Sequence, residues 1–141
     1  MTIRTILQAK GNQVFKTEPE EILAVVVKQL VYRRCGSLLV CRGDELLGII
    51  TERDILRASA TEGYNLETTT VAELMTSDLV TGTPDDSISE TMGLLTERRI
   101  RHLPILDDGK LAGMISIGDV VKAQYAKLSI ENHYLKSYIQ G

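Results

Sequence analysis

Apolar residues return every three or four positions at Leu23, Val26, Val27, Leu30 and Val31, and again at Ile88, Met92 and Leu95. That spacing predicts amphipathic helices over Glu20 to Arg33 and Ser87 to Arg98. Glu20-Glu21 and Asp85-Asp86 fall at their N-terminal ends, where the helix dipole favours acids. The period then shortens. An apolar strand, Gly36 to Cys41 or His102 to Leu106, runs into a turn, Arg42-Gly43-Asp44 or Asp107-Asp108-Gly109, whose Gly and Asp suit positive φ. The chain returns along Leu46 to Thr51 or Leu111 to Ser116, and a second helix is expected from near Glu52 or Ile117. A short leading strand near Pro19 or Pro84 completes each unit.

The two sets of elements are copies. Slid against itself by 65 positions, the chain places Pro19 on Pro84, Leu30 on Leu95, Arg33-Arg34 on Arg98-Arg99, Leu38 on Leu103, Gly48 on Gly113, Ile50 on Ile115 and Asp54 on Asp119, with no gap from Phe15 to Ala58. Upstream, Thr2 to Leu7 resembles Thr70 to Met75 at an offset of 68, so the first copy carries three extra residues around Lys10 to Gln13. Gly11 and Asn12 make that insertion read as a loop. The polar, Thr-rich Asn65 to Thr70 reads as the linker, giving domains 1–68 and 69–141. A unit of this size buries little surface alone, so two β-α-β-β-α copies closing a shared core, an α/β (α+β) fold, is the expectation.

Composition narrows the options. The 141 residues are 43% hydrophobic and 25% charged, ordinary for one globular body. Sixteen basic against nineteen acidic side chains leave a net charge of −3, with no basic block, which disfavours nucleic acid as partner. Apolar stretches such as Ile22 to Val27 are far short of the ~20 residues that span a bilayer. Met1-Thr2-Ile3-Arg4 lacks a signal peptide's blocks, so a cytoplasmic location is the default. Cys35 and Cys41 are expected as partly buried free thiols at either end of a strand. With no Trp and a single Phe the core must be aliphatic, and stacking platforms for bases are scarce.

Two segments, Gly48-Ile49-Ile50-Thr51-Glu52-Arg53-Asp54 and Gly113-Met114-Ile115-Ser116-Ile117-Gly118-Asp119, share the form glycine, apolar pair, Ser or Thr, two variable residues, Asp. They resemble the CBS-domain family, named after cystathionine β-synthase, as does Arg98 to Ile105. The likeness covers nearly the whole chain, in the form of a stand-alone tandem pair. It implies two units packed through their sheets about a pseudo-twofold axis. It also implies clefts for adenosyl compounds (AMP, ADP, ATP, NAD-type dinucleotides or S-adenosylmethionine), a sensing role toward a partner protein, and a homodimer.

The residues are compatible with that chemistry. A strand ending at Thr51 or Ser116 and passing directly into a helix offers backbone N–H groups and the positive dipole end to a phosphate. Asp54 or Asp119, three residues on, can accept both ribose hydroxyls. The same spacing also suits a helix capping box. Capping alone does not demand the preceding glycine, which favours the nucleotide.

Around the motifs the copies differ. Arg101 and His102 are candidate phosphate contacts where the first copy has Gly36 and Ser37; Arg53 is one where the second copy has Gly118. By resemblance, the backbone before Pro19 and Pro84 lines the adenine pocket, with Lys16, Thr17, Thr81 and Thr83 as polar candidates. Turn chemistry ahead of a proline would explain those residues equally. Arg33, Arg34, Arg98 and Arg99 read as solvated helix C-termini.

No metal-ligand spacing accompanies His102 or His133, and no activated Ser or Cys arrangement is visible, so neither a metal, a catalytic cofactor nor an enzyme is expected. A ligand-independent dimerisation or protein-interaction module is the alternative. The tail repeats apolar positions at Val121, Tyr125, Leu128, Leu135 and Ile139, more helix than a closing helix needs, and could pack on its own unit or on a twin.

Overall fold

The computed structural model describes residues 1–11, 13–61 and 63–140. In chain order they form α1 (Ile3–Lys10), β1 (Lys16–Thr17), α2 (Leu23–Arg33), β2 (Ser37–Arg42), β3 (Glu45–Thr51), α3 (Glu52–Ser59), α4 (Val71–Leu74), α5 (Ile88–Arg98), β4 (His102–Asp107), β5 (Lys110–Ser116) and α6 (Ile117–Gln140). The mixed α+β class expected from the two hydrophobic periods is the one adopted. Two helices, α1 and α4, were not among the expected elements.

Those two helices decide how the chain divides. One compact unit comprises Met1–Asn12, Thr81–Asp107 and Ala112–Gly141; the other comprises Gln13–Val80 and Asp108–Leu111. They are called here the Asp119 unit and the Asp54 unit. The expected boundary at 68/69 marks sequence similarity, whereas compactness follows packing, and each copy's leading helix packs with the other copy's body. In the Asp119 unit Ile3 N–H donates to Asp86 O (2.9 Å) and Arg4 N–H to Pro84 O (2.8 Å). In the Asp54 unit Val71 N–H donates to Glu21 O (2.8 Å) and Ala72 N–H to Pro19 O (2.9 Å), the same two bonds one repeat earlier.

α1 buries Ile3, Ile6 and Leu7 on one face, each worth about 1.5–3 kcal/mol when fully covered. α4 is only one turn long, too short to hold itself. A capping box fixes its start, Thr70 N–H reaching Glu73 Oε2 at 2.7 Å, and Val71 enters the core.

In the Asp54 unit the sheet order is β1-β2-β3. β1 runs parallel to β2 with Thr17 opposite Val40; β2 and β3 are antiparallel, pairing Ser37 with Thr51 and Val40 with Gly48 before a bulge at Val40/Cys41. In the Asp119 unit β4 pairs with β5, and a single parallel bridge, Gly82 to Ile105, replaces β1. The Asp54 core is Leu23, Val26, Leu30, Leu38, Val40, Ile50 and Val71, with Phe15, Ile55 and Met75 around it. It is aliphatic, as the composition required.

The helices begin later than the pattern suggested, at Leu23 and Ile88. Glu20-Glu21 and Asp85-Asp86 therefore do not occupy the first helical turns. They belong to the preceding turns: Asp86 accepts from Thr83 N–H (2.9 Å) and Thr83 Oγ1 (2.8 Å), Asp85 pairs with Arg4 at 3.1 Å, and Glu20 pairs with Arg42.

The linker is not a loose tether. Thr69 O and Leu66 O accept from Leu23 N–H and Ala24 N–H, both at 3.0 Å, satisfying the start of α2 where Ile22 offers no side-chain cap. In the insertion, Lys10 is the last residue of α1. Gly11 ends the helix at φ 87°, its N–H on Leu7 O (2.8 Å). The loop assignment of Asn12 lies outside the described residues.

Candidate functional site

Both motifs sit at a strand-to-helix junction, and both close a capping box. At the start of α3, Asp54 N–H donates to Thr51 Oγ1 (3.2 Å), while Asp54 Oδ2 accepts from Thr51 N–H and Oγ1, both at 3.0 Å. At the start of α6, Asp119 N–H donates to Ser116 Oγ (3.1 Å) and Asp119 Oδ2 accepts from Ser116 N–H (2.8 Å). Each helix's first N–H is also engaged: Glu52 N–H donates to Gly36 O (3.0 Å) and Ile117 N–H to Arg101 O (2.9 Å). Within each motif, then, two of the first three helical N–H groups are satisfied by the chain itself. The carboxylates keep acceptor capacity, since each offers about four lone-pair sites.

The glycine ahead of each motif has a packing cause. A Cβ on Gly48 would lie 2.8 Å from Thr76 O and 3.0 Å from Met75 Sδ; one on Gly113 would lie 2.8 Å from Leu7 Cδ2. Met75 and Leu7 are equivalent residues on or just past the exchanged helices. The glycine therefore makes room for those helices, and its presence does not by itself argue for a ligand.

What the exchanged segments bring differs. In the Asp54 unit Thr76 Oγ1 stands 3.5 Å from Asp54 Oδ1, and Ile49 and Thr76 exchange backbone bonds at 2.9 Å. In the Asp119 unit Lys10 reaches in from the end of α1, its Nζ 2.8 Å from Asp119 Oδ2 and 3.0 Å from Met114 O. Burial alone would raise the Asp119 carboxyl; the Lys10 ammonium and the Ser116 hydrogen bonds outweigh it and hold the group below the usual carboxylate range. Lys10 was absent from the candidates, although it lies at i, i+3, i+4, i+7 from Ile3, Ile6 and Leu7 and so on the face that α1 turns inward.

Arg53 apart, the remaining candidates lie on other stretches of the same two units. Ser37, opposite Thr51, is 2% exposed and Thr17 is 8% exposed, which leaves little of either for an incoming ligand. Lys16 and Arg53 are exposed, as are Arg101, Thr81 and Thr83; Gly36 and His102 are half-buried. Thr83 is tied to Asp86 as described. Arg33, expected as a plain helix end, lays its guanidinium 4.3 Å from the Phe15 ring centre. Arg34 and Arg99 take left-handed cap positions at φ 53° and 55°. Cys35 and Cys41 are free thiols; burial pushes the Cys41 thiol up, against the pull of Lys16, so it is not an activated nucleophile.

Among the described residues no group of three His, Cys, Asp or Glu side chains could hold a metal ion, and no helix is long and apolar enough to cross a membrane.

A duplicated strand-to-helix junction with a conserved geometry in both halves defines a tandem-repeat module, and comparison with known proteins specifies it. The CBS domain model matches residues 12–61 and 71–126, so the chain belongs to the CBS-domain family. It is 36% identical over 149 aligned positions to the CBS domain-containing protein CBSX3, mitochondrial, of Arabidopsis thaliana, covering 99% of this chain and 72% of the relative. Among solved structures, a protein with CBS domains from Burkholderia ambifaria MC40-6 superposes with a TM-score of 0.85 at 40% identity, covering 89% of this chain and 95% of that one. The CBS domain pair of protein MJ0100, solved with 5′-methylthioadenosine and S-adenosyl-L-methionine, shares the fold at a TM-score of 0.77 and 21% identity, covering 90% of this chain and 98% of its own.

Proposed function

We propose that this chain is an adenine-nucleotide-sensing regulatory module without catalysis of its own: a cytoplasmic homodimer that binds AMP, ADP, ATP or an NAD-type ligand and signals to a partner protein, with no role on nucleic acid or membrane. The observation that carries the reading is the pair of hydroxyl–carboxylate junctions, Thr51/Asp54 and Ser116/Asp119, in a CBS-family chain. Each sets a carboxyl group with spare acceptor capacity beside a helix N-terminus, the pairing that a ribose and its phosphate require. The adenosyl ligands held by the MJ0100 pair support the ligand class. Arg101 and His102 in one unit, and Arg53 in the other, are the proposed phosphate contacts. Gly36, Ser37, Lys16, Thr17, Thr81 and Thr83 are the proposed lining. A sensor of this kind signals only if its ligand binds two conformations unequally.

A second reading, a ligand-independent interaction module, is favoured by the capping boxes, which account for the aspartate geometry without a ligand. Thermal unfolding separates the two. AMP, ATP or NAD at millimolar concentration should raise the melting temperature more than guanosine analogues do, by an amount corresponding to about 2.7 kcal/mol at a hundredfold excess over Kd. Equal or absent shifts for all nucleotides would leave the interaction module as the function.

A further inference from the structure

The last helix carries a surface with a regular code. Along α6 the exposed residues Val121, Tyr125, Leu128, Asn132, Leu135 and Ile139 are spaced 4, 3, 4, 3 and 4 residues apart. That is a heptad seam with Val121, Leu128 and Leu135 at d and Tyr125, Asn132 and Ile139 at a. The seam is set roughly a quarter turn away from the face of α6 that holds buried Val120 against its own unit. Val121, Tyr125, Leu128, Leu135 and Ile139 are 51%, 72%, 61%, 60% and 80% exposed, an apolar strip interrupted once, at Asn132, while Ile130, Tyr134 and Tyr138 are exposed off the seam. Leu128, Asn132, Leu135 and Ile139 lie past the second CBS match, which ends at residue 126, so the repeat does not account for that part of the strip.

We infer that the α6 seam pairs with the same seam of a second copy as a parallel, in-register two-stranded coiled coil. Leu at two of the d positions suits two strands. The decisive residue is Asn132. In a parallel pair an a residue faces its own counterpart, so the two Asn132 amides hydrogen-bond to each other; in an antiparallel pair a faces d, and each amide would be buried against leucine without a partner. Charge points the same way. Glu131 occupies g and Lys136 occupies the following e, so each Glu131 meets the Lys136 of the other copy in parallel register, twice per dimer. An antiparallel arrangement would bring e against e and set Lys122 and Lys136 together. The pairing deepens the homodimeric reading and rests on it, but needs no nucleotide.

The test uses the full chain with single cysteines placed on exposed sites. Under mild oxidation Leu128→Cys should form a disulfide-linked dimer at least tenfold more than Ser137→Cys, on the far side of the helix, or the wild-type chain with its native thiols. In sedimentation velocity Leu128→Asp/Leu135→Asp should weaken the dimer at least a hundredfold while circular dichroism shows the units folded. Equal or absent cross-linking in a chain that sediments as a dimer would overturn the seam and leave the dimeric reading intact. Cross-linking of Val121→Cys to Ile139→Cys in a mixture, with none at Leu128→Cys, would establish the antiparallel pair and overturn the parallel one. A wild-type chain that stays monomeric at about 100 times the concentration of a typical micromolar dimer constant would overturn both.

Discussion

Asp54 and Asp119 stand at equivalent positions of one repeat, cap equivalent helices with the same hydroxyl–carboxylate exchange, and yet live in different electrostatic surroundings. Asp54 meets the Thr76 hydroxyl at 3.5 Å, whereas Asp119 meets the Lys10 ammonium at 2.8 Å. The difference enters through the exchanged segments rather than through the motif. Reciprocal packing of α1 and α4 lets the chain vary one site without touching its repeated scaffold, because the variable residue is carried by the other copy.

That exchange can be broken most severely at the glycines. Gly48→Ala drives a Cβ to 2.8 Å from a backbone oxygen, Thr76 O, whereas Gly113→Ala meets only the end of the Leu7 side chain at the same distance. Overpacking of this kind costs about 1–3 kcal/mol. Urea unfolding should put Gly48→Ala at the upper end of that range and Gly113→Ala at the lower, since a leucine tip can turn aside and a strand-paired carbonyl cannot. Equal losses would mean that the two helices do not pack as described.

The strands were legible as short apolar runs closed by Gly/Asp turns, buried at successive positions in β2 and β4, and α2 and α5 by an apolar period near 3.6 that persists over three turns. The exchange was not. α4 is too short to show a period, α1 abuts an insertion with loop-forming Gly11, and which copy a leading helix joins is decided by long-range bonds such as Ile3 N–H to Asp86 O. For the same reason Gly48 and Gly113 invited a ligand-based explanation: the atoms that exclude a Cβ come from Thr76, Met75 and Leu7, which no local pattern links to them. The aspartates were found by repeat symmetry, their capping partners by spacing, and Lys10 by neither.

A smaller effect sharpens the contrast between the aspartates. Because the Asp119 carboxyl is held low in the folded chain, its contribution is present above the ordinary carboxyl pKa of about 3.9 and is lost as pH falls through the folded value. Lys10→Met removes the ammonium. The variant should lose about 0.5–1 kcal/mol at pH 7 for this partly exposed pair, and its melting temperature should fall less between pH 7 and pH 3 than that of the wild type. An unchanged acid limb would show that Lys10 does not hold Asp119 in solution.

Calorimetric titration of AMP into the wild type, Asp54→Ala, Asp119→Ala and the double variant tests the central claim most directly. Two junctions with equal scaffolds and unequal charge should give two binding events of different affinity. Each single variant should lose its own event, by about 1.5–3 kcal/mol for a hydrogen bond to a charged group, and the double variant should lose both. Wild-type stoichiometry and affinity in both single variants would show that the aspartates serve as helix caps alone, and would contradict the ribose assignment.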